Sequence, residues 1–580
     1  MLGEKIGTVQ EGNQEDLVVK AKQFDIAVGD ILLILSRSHR KERVFIFRVL
    51  EIRNKLYGEG DEKKVANNLL LSERAVKPSE ELIYLEIRGK VLGYVQREED
   101  KWVFYYPSRI PEPFASVYRP KRGADEVLAD ILRNEISGNL FVGFLRTGGN
   151  TPNIPVYLPS DFLAMHMGIF GTTGCGKSNT MMVLIKSAIE ANMKKPRTIG
   201  FFVIDPHDEY AFGSGENKHG IHHIVECLPD QIRKNVIGEF YYLTPVMSGT
   251  RPEIRPYARE LKIAWSEILP SDIISIKEVK EQQMALLYLA HAKWKDQWIK
   301  RLLYTDANQL ADETDYPLVT VLAVKRRLSF LHYSKVFVED SNLSVLPQII
   351  KQLENGNILI VNTSLISEEE QFLLTTIVSR TIFSLRAALK SSSYWDEFEK
   401  HAEIRLPATF LGKAKNFLKD FYISHSDGKK LVLKQVEELP VVLVTVEEAP
   451  SLMKPELMKH GSIFKDISRQ GRKFRVGLLI ISQQVTPIDN TILSQINTEI
   501  NMQLGNEREI EAAINNASKN LRGYQTEFRI LRKGDALLTA SYRMMPIPIH
   551  VPLFDKLCVE FIERMKKSEE VVEGQDVSIL

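Results

Sequence analysis

The spacing of hydrophobic residues changes about a quarter of the way along the chain. Up to about residue 145, short apolar runs are separated by turn residues such as Gly29-Asp30 and Gly58-Glu59-Gly60. Short strands at this spacing are typical of a small β-barrel or sandwich. The pattern predicts strands over 16–21, 30–35, 43–50, 82–88 and 102–106, followed by a proline-bearing connector over 106–120.

From about residue 146, apolar strand patterns alternate with helical ones, which indicates an α/β domain. A helical, charged stretch over 252–350 predicts a helical insertion, in which 276–301 has the clearest amphipathic spacing. A long helix is expected over 368–390, and a polar insertion over about 391–438. The predicted strands of this domain are 166–170, 198–204, 357–362, 441–446 and 476–482.

Size and composition limit the classes of protein to consider. The 580 residues are too many for one core, and 44% hydrophobic with 26% charged residues is ordinary for a soluble globular protein. With 76 Lys+Arg against 75 Asp+Glu, bulk charge argues neither for nor against a nucleic acid partner. The three cysteines have neither zinc nor disulfide spacing, which fits a reducing cytoplasm. Neither a signal peptide nor a membrane span is expected.

Residues 171–178 read G-T-T-G-C-G-K-S, which is a complete P-loop between a predicted strand and a predicted helix. That context argues against a chance glycine turn. Its backbone N–H groups and the helix N-terminus would cradle phosphates, Lys177 would reach the β- and γ-phosphates, and Ser178 would ligate Mg²⁺. We interpret Cys175 as a small loop residue rather than a nucleophile. ATP contacts are therefore predicted at Gly171, Thr172, Thr173, Gly174, Cys175, Gly176, Lys177, Ser178 and Asn179.

Two carboxylates follow the apolar run 441–446, where a Walker B motif is expected after a P-loop. The first, Glu447, would hold Mg²⁺ through water, although Asp is usual there. The second, Glu448, would be the general base that deprotonates the attacking water. The alternative is a solvated acidic strand end, which the apolar run before it and the amphipathic helix after it make less favourable.

Three further residues are candidates for the hydrolysis machinery. Gln483 follows the strand over 476–482 and would contact the γ-phosphate or water, unless it is an ordinary strand-end amide. Arg472 would act as an arginine finger on a neighbouring subunit, and it is preferred over Arg469 because Gly471 would free its backbone. The alternative is a surface salt-bridge arginine. Asp205, which ends the strand over 198–204, is expected beside the nucleotide on a strand next to the P-loop, unless it only caps the following turn.

These motifs together resemble the HerA family of hexameric DNA-translocating ATPases, within the HerA/FtsK branch. The resemblance covers about 140–555 and rests on the P-loop with Asn179, on the D-P-H-D-E-Y sequence at 205–210, and on the V-E-E-A sequence at 446–449. The R-Q-G-R-K sequence at 469–473, the L-I-I-S-Q sequence at 479–483 and the closing stretch 534–551 also match. Three positions depart from the family pattern: Met165 stands where Arg is common, and Asp208 and Arg475 stand where Gly is common.

The resemblance implies a RecA-like P-loop ATPase domain over 146–555, preceded by an N-terminal β-barrel-like domain over 1–145 and followed by a tail over 556–580. It also implies a cytoplasmic homohexamer that threads double-stranded DNA and works with an effector docked on the N-terminal domain. That effector would be a NurA-like nuclease, or a sirtuin-like or nuclease defence effector. Phosphate contacts to DNA would come from basic clusters, each of which is more often a solvated face. The clusters are Lys413 with Lys415 and Lys419, Lys429-Lys430, and Lys325-Arg326-Arg327.

Two other functions remain open at this point. A nucleotide-dependent ring could serve mainly as a scaffold that assembles and activates an effector enzyme. A secretion or conjugation ATPase would share the same motifs, although the absence of an expected membrane span weakens this alternative. Stimulation of ATP turnover by duplex DNA separates the translocase from both.

Overall fold

A computed structural model describes residues 2–22, 25–38, 41–56, 83–98, 101–121, 125–428, 430–459 and 461–576. The chain divides into two compact units, each built from separate segments. The first comprises Met1–Gly138, Val142–Tyr157 and Ile500–Val551, and the second comprises Asn139–Phe141, Leu158–Glu499 and Pro552–Leu580. The domain boundaries expected from the sequence stay a prediction.

Strands and helices are numbered in chain order within the described residues. The strands are β1 Leu2–Gly12, β2 Leu17–Ala21, β3 Ile31–Ser38, β4 Lys41–Leu56, β5 Ile83–Glu98, β6 Lys101–Tyr105, β7 Ser116–Pro120, β8 Leu140–Leu145, β9 Pro155–Leu158, β10 Met167–Phe170, β11 Ile199–Asp205, β12 Tyr242–Thr244, β13 Ala258–Glu260, β14 Ile263–Ala264, β15 Phe337–Val338, β16 Ile358–Asn362, β17 Ile423–Asp427, β18 Lys430–Leu433, β19 Val441–Val446, β20 Val476–Ser482, β21 Thr498–Asn501, β22 Asp535–Ala540 and β23 Ile547–His550. The α-helices are α1 Asp125–Ile131, α2 Arg133–Ile136, α3 Lys177–Lys194, α4 Ile221–Glu226, α5 Asp230–Ile237, α6 Pro270–Ile276, α7 Glu281–Trp294, α8 Trp298–Tyr304, α9 Ala307–Thr314, α10 Leu318–Leu328, α11 Phe330–Tyr333, α12 Leu346–Glu354, α13 Glu368–Lys390, α14 Trp395–Arg405, α15 Ala408–Tyr422, α16 Ala449–Leu452, α17 Pro455–Met458, α18 Ile463–Gln470, α19 Asn490–Leu493, α20 Glu507–Asn516, α21 Gln525–Ile530 and α22 Phe554–Asp576.

The first unit contains a closed antiparallel barrel of six strands in the order β2-β1-β7-β3-β4-β5, with β5 pairing back onto β2 and β6 added outside β5. Closure leaves no open edge within the ring. Alternate residues such as Phe45, Phe47 and Val49 point into a buried apolar core. The predicted barrel is therefore confirmed.

Two parts of this barrel differ from the expectation. The stretch 106–120 was expected to be a connector, but β7 lies within it and pairs with both β1 and β3. The prolines of this stretch mask the strand in the sequence, because Pro usually interrupts one. Strand β1 was also missed. The turn Gly58-Glu59-Gly60 lies outside the described residues.

The core of the second unit is a parallel sheet in the order β13-β12-β16-β11-β19-β20-β10. Its central strands are apolar and fully buried, as in a sheet covered by helices on both faces. Their order, with β20 between the P-loop strand β10 and the Walker B strand β19, confirms the predicted α/β ATPase core.

The helical insertion follows β14 and contains α6 to α12. The amphipathic stretch 276–301 was expected as one segment, but it is divided among three helices. Lys280 is extended, and Lys295 has a φ of 47° in the left-handed region, so the chain turns at both positions. The predicted long helix over 368–390 is confirmed as α13.

One helix in the described part of the chain, α13, is long and apolar enough to cross a membrane by length and composition. Its most apolar 18-residue window is 100% buried within the protein. In this structure α13 is a core helix.

Candidate nucleotide-binding and hydrolysis site

The P-loop has the conformation that the sequence predicts. It joins the end of β10 to the start of α3, and the Gly171 N–H donates to the Ser482 carbonyl at 3.2 Å. Gly174 and Gly176 have φ values of 78° and 113°, in the region that favours glycine. A Cβ on Gly174 would meet nothing within 4 Å, so there is open space beside the loop at this point.

Lys177 lies at the first position of α3 and folds back over the loop. Its Nζ donates to the carbonyls of Gly171 and Thr172 at 2.8 and 2.9 Å. Burial lowers the pKa of Lys177, whereas the charges of Glu447 and Glu448 act in the opposite direction. The lysine therefore lies within electrostatic range of both Walker B carboxylates while its ammonium is held by the P-loop backbone.

Cys175 is buried at 3% exposure, and burial raises the pKa of its thiol. A raised pKa disfavours the thiolate, which is the nucleophilic form. This supports the interpretation of Cys175 as a small loop residue.

Glu447 and Glu448 follow β19 and differ sharply in environment. Glu448 is exposed and has a φ of 50°, at the N-cap position of α16. Glu447 is half-buried, and its Oε1 accepts a hydrogen bond from the Tyr210 hydroxyl at 2.9 Å. Burial raises the pKa of Glu447 to about 8, and the charges of Glu448 and Asp205 add to that rise. Glu447 is thus held by a hydrogen bond, which suits a residue that orients the metal. Glu448 is exposed, which suits a general base.

Asp205 supports the loop that carries Tyr210. Its side chain is fully buried, and its two carboxylate oxygens accept the backbone N–H groups of Glu209 and Tyr210 at 3.1 and 2.9 Å. Burial raises the pKa of Asp205. The expectation that Asp205 lies on a strand next to the P-loop strand is wrong, because β19 and β20 lie between β11 and β10. Its observed contacts are those of a loop cap that positions Tyr210 against Glu447.

Gln483 lies immediately after β20 and reaches the P-loop. The Thr173 hydroxyl donates to its Oε1 at 2.7 Å. This contact brings the intervening strand to the part of the loop where the phosphates are expected.

The side chain of Asn179 contacts residues far along the chain. Its Nδ2 donates to the Pro552 carbonyl at 2.9 Å, and its Oδ1 accepts the Phe554 N–H at 2.8 Å. Asn217 also donates to Asn179 Oδ1 and accepts the Asp555 N–H. In these contacts Asn179 joins the P-loop helix to the start of α22.

Arg472 is exposed on a short 3-10 helix, Gly471–Phe474, that precedes β20. The P-loop meets the other end of this parallel strand, at Ser482. Seven residues at about 3.3 Å each put roughly 20 Å of strand between them. Arg469 is also exposed, one turn earlier at the end of α18.

Gly471 does not free the backbone beside Arg472, contrary to the expectation from the sequence. Gly471 has an ordinary helical φ of −53°. A Cβ there would lie 2.2 Å from the Val476 carbonyl oxygen, so the glycine allows a close approach and does not free the backbone.

His166, which the sequence reasoning passed over, fixes this segment to the sheet. Its Nδ1 accepts the Leu478 N–H at 3.1 Å, so its Nε2 carries the proton donated to the Ser468 carbonyl at 3.0 Å. Burial lowers the pKa of His166 to about 4. A neutral imidazole therefore holds α18, which leads to the arginines, against β20.

Two departures from the family pattern have a backbone explanation. Asp208 and Arg475 each have a φ of 54°, in the left-handed region that glycine adopts most easily. Tyr242 donates to Asp208 Oδ1 at 2.6 Å, and Arg475 pairs with Asp161 at 2.8 Å. Both side chains thus have a partner within the protein.

Several of the basic residues proposed for DNA have partners within the protein. Lys325 turns inward and donates to the carbonyls of Leu302, Leu303 and Thr305 at the end of α8. Lys415 pairs with Glu399 at 2.6 Å. Further partners are the Ser341 carbonyl for Lys413, the Trp395 ring for Lys419 and the Tyr394 ring for Lys430, while Lys429 lies outside the described residues.

The residues present fit ATP and Mg²⁺. The open loop at Gly174, the Lys177 ammonium and the start of α3 match the charge and hydrogen-bonding needs of phosphates. The Ser178 hydroxyl and the Glu447 carboxylate would supply oxygen ligands for Mg²⁺, the latter through water. The described residues contain no cluster of three His, Cys, Asp or Glu side chains that could hold a metal by themselves. Phosphate oxygens and water are the ligands that would complete the coordination of Mg²⁺.

The P-loop strand β10 and the strand β19, which is followed by two acids, lie on either side of β20, which ends in polar residues. This arrangement defines a P-loop ATPase. Residues 140–382 match the model of the family described as helicase HerA, central domain. The chain is 24% identical to a probable helicase of Methanocaldococcus jannaschii over 86% of this chain and 85% of that protein. It is 22% identical to the DNA double-strand break repair helicase HerA of Pyrococcus furiosus over 85% and 80%. The central part of the chain therefore matches the HerA family model, and most of its length is similar to proteins named as helicases.

Two solved structures align with the chain at lower sequence identity. VirB4 of Thermoanaerobacter pseudethanolicus aligns with a TM-score of 0.40 and 15% identity, covering 72% of this chain and 97% of that one. The conjugative coupling protein TrwB aligns with a TM-score of 0.41 and 12% identity, covering 69% and 88%.

Proposed function

We propose that this protein is an ATP-driven translocase and helicase subunit that acts on double-stranded DNA. The observation that supports ATP hydrolysis most directly is the convergence of Lys177, Glu447 and Glu448 at the carboxyl ends of β10 and β19. The DNA substrate is proposed from the family, since relatives named as DNA repair helicases align with most of the chain.

Each residue of the site takes a separate part in the proposed reaction. Lys177 binds the β- and γ-phosphates, and Ser178 and Glu447 hold Mg²⁺, which neutralises developing phosphate charge when bound. Glu448, exposed and without a fixed partner at its carboxylate among the described residues, accepts the proton of the attacking water. Gln483, held by Thr173, senses the γ-phosphate.

Arg472 supports a ring as the working form. Because the length of β20 separates it from the P-loop of its own chain, it would stabilise transition-state charge only on a neighbouring subunit. A closed ring satisfies every such interface, and we propose a homohexamer around duplex DNA. The proposal extends to a cytoplasmic location and to an effector on the N-terminal barrel, either a NurA-like nuclease or a sirtuin-like or nuclease defence effector.

Binding to duplex DNA tests this proposal. Affinity should be independent of sequence and should fall steeply as salt rises, because phosphate contacts release counterions. Fluorescence anisotropy with two unrelated duplexes over a range of salt measures both properties. Salt-independent binding, or no binding at low salt, would favour a nucleotide-dependent ring scaffold for an effector.

A further inference from the structure

A basic cavity of about 420 Å³ lies within the second unit, and one of its lining residues, Ser451, follows Glu448 closely in the chain. Its walls come from the end of α6 and the residues after it, from α10, from the start of α13 and from α16 and α17. The lining residues are Ile276, Lys277, Glu278, Arg326, Arg327, Glu369, Ser451, Lys454 and Leu457.

The cavity keeps positive charge after its internal ion pairs are counted. Lys277 pairs with Glu369 at 2.8 Å, and Lys454 pairs with Glu278 at 3.1 Å. The four cations that line the cavity exceed its two carboxylates, so two positive charges remain, those of the two arginines on α10. An opening of this size with an uncompensated pair of charges is suited to an anion.

The two arginines leave most of their hydrogen-bond donors available. Arg327 Nε donates to Gln283 at 3.1 Å, which uses one of five guanidinium donors. Arg326 is exposed, and within the described part of the chain its guanidinium has neither a hydrogen bond nor an ion pair. Guanidinium groups bind phosphate and carboxylate oxygens through paired N–H donors, and phosphate is the anion that the proposed DNA substrate would present.

One wall of the cavity leads directly to the candidate general base. Ser451 lies in α16, and its N–H donates to the Glu448 carbonyl at 2.9 Å. Glu448 itself occupies the N-cap position of that helix in a left-handed conformation. The helix α16 therefore connects the wall of the cavity to Glu448.

We propose that the cavity lined by Arg326 and Arg327 binds a backbone phosphate of duplex DNA and transmits its occupancy through α16 to Glu448. The proposal rests on the proposed function, because it assigns a contact point for the DNA substrate. It also gives a physical route by which DNA stimulates hydrolysis. Of the predicted cluster 325–327, Lys325 is excluded because its ammonium is held by three carbonyls.

Removing one guanidinium tests the contact. Arg326→Ala should weaken binding of a duplex several-fold and reduce the slope of log affinity against log salt by about one. Arg326→Lys should keep the slope. Arg405→Ala is the matched control, since Arg405 is an exposed arginine on α14 outside the cavity. Circular dichroism melting of each variant checks that the fold is retained.

The outcomes separate the cavity from the general proposal. If wild-type protein binds duplex DNA with a steep salt slope and Arg326→Ala behaves as Arg405→Ala does, the cavity is not a DNA contact, and the proposed function stands. If wild-type protein does not bind DNA, both proposals fail. If Arg326→Ala loses affinity but keeps the full stimulation by saturating DNA, the proposed route through α16 is wrong.

Discussion

The hydroxyl of Tyr210 offers the sharpest test of how the site is organised. Tyr210 is 3% exposed, and its hydroxyl donates to Glu447 Oε1 at 2.9 Å. Tyr210→Phe removes that one oxygen and keeps the ring, so packing should change little. The substitution leaves the Mg²⁺-orienting carboxylate without its protein hydrogen bond.

The magnitude follows from the kind of bond that is lost. A hydrogen bond to a charged group contributes about 1.5–3 kcal/mol, and this range applies to the ionised form of Glu447, which bound Mg²⁺ would favour over the protonated form. At about 1.36 kcal/mol for each factor of ten, loss of the bond should lower kcat by roughly 10- to 150-fold if it acts in the transition state. Lys177 still attracts Glu447 in the variant, so the lower part of this range is expected.

Steady-state ATP turnover over a Mg²⁺ titration measures the effect. Tyr210→Phe should lower kcat and raise the Mg²⁺ concentration needed for half-maximal rate. Tyr257→Phe is the matched control, because that half-buried hydroxyl bonds Arg233 instead of the site. If the two variants have equal kcat and equal Mg²⁺ dependence, Tyr210 does not position Glu447.

The remaining predictions concern the acids, the arginine and the buried histidine. Glu448→Gln should bind ATP but hydrolyse it very slowly. Glu447→Gln should chiefly change how the rate of hydrolysis depends on Mg²⁺. The opposite result would show that the two roles are exchanged. Arg472→Ala protein alone should be nearly inactive. Mixing it with inactive Lys177→Ala protein should restore partial turnover, provided that labelled subunits show exchange. Unchanged turnover in Arg472→Ala protein alone would show that Arg472 is only a surface cation. His166 has a folded-state pKa of about 4 against the usual 6.5, so the unfolded state binds more protons between these values. The contribution of neutral His166 to the free energy of unfolding is complete above pH 6.5 and falls by up to about 3 kcal/mol toward pH 4. The melting temperature of His166→Gln should therefore depend less on pH than that of the wild type. Parallel curves of melting temperature against pH would contradict this.

The sequence predicts those parts of the site in which one local motif determines both fold and chemistry. The P-loop glycines require positive φ, and the structure has it at Gly174 and Gly176. Glu447 and Glu448 follow an unmistakably apolar strand. Local pattern is sufficient in these cases, because the chemistry and the backbone geometry lie within a few residues.

Contacts between distant segments could not be predicted in the same way. The bond from Tyr210 to Glu447 spans 237 residues, and that from His166 to Ser468 spans 302. The side chain of Asn179 binds residues more than 370 positions away, a contact that its place after the P-loop does not predict. Such pairs depend on strand order, and one sequence does not specify which strands become neighbours.

Strand β7 shows a second limit. Its residues include Pro120, and prolines at 107, 111 and 113 precede it, so local propensity favours a loop. Its place between β1 and β3 closes the barrel, and the hydrogen bonds of both neighbours outweigh that propensity. Tertiary context decides the structure there.

ATP turnover with and without duplex DNA, with particle mass measured on the same sample, tests the central claim most directly. Wild-type protein should form a ring and hydrolyse ATP faster when saturating duplex is present, and Lys177→Ala should lack turnover in both conditions while keeping its fold. Normal turnover in Lys177→Ala would contradict the assigned site. A wild-type ATPase whose rate does not respond to DNA at any salt would contradict the proposal that this protein is a DNA translocase.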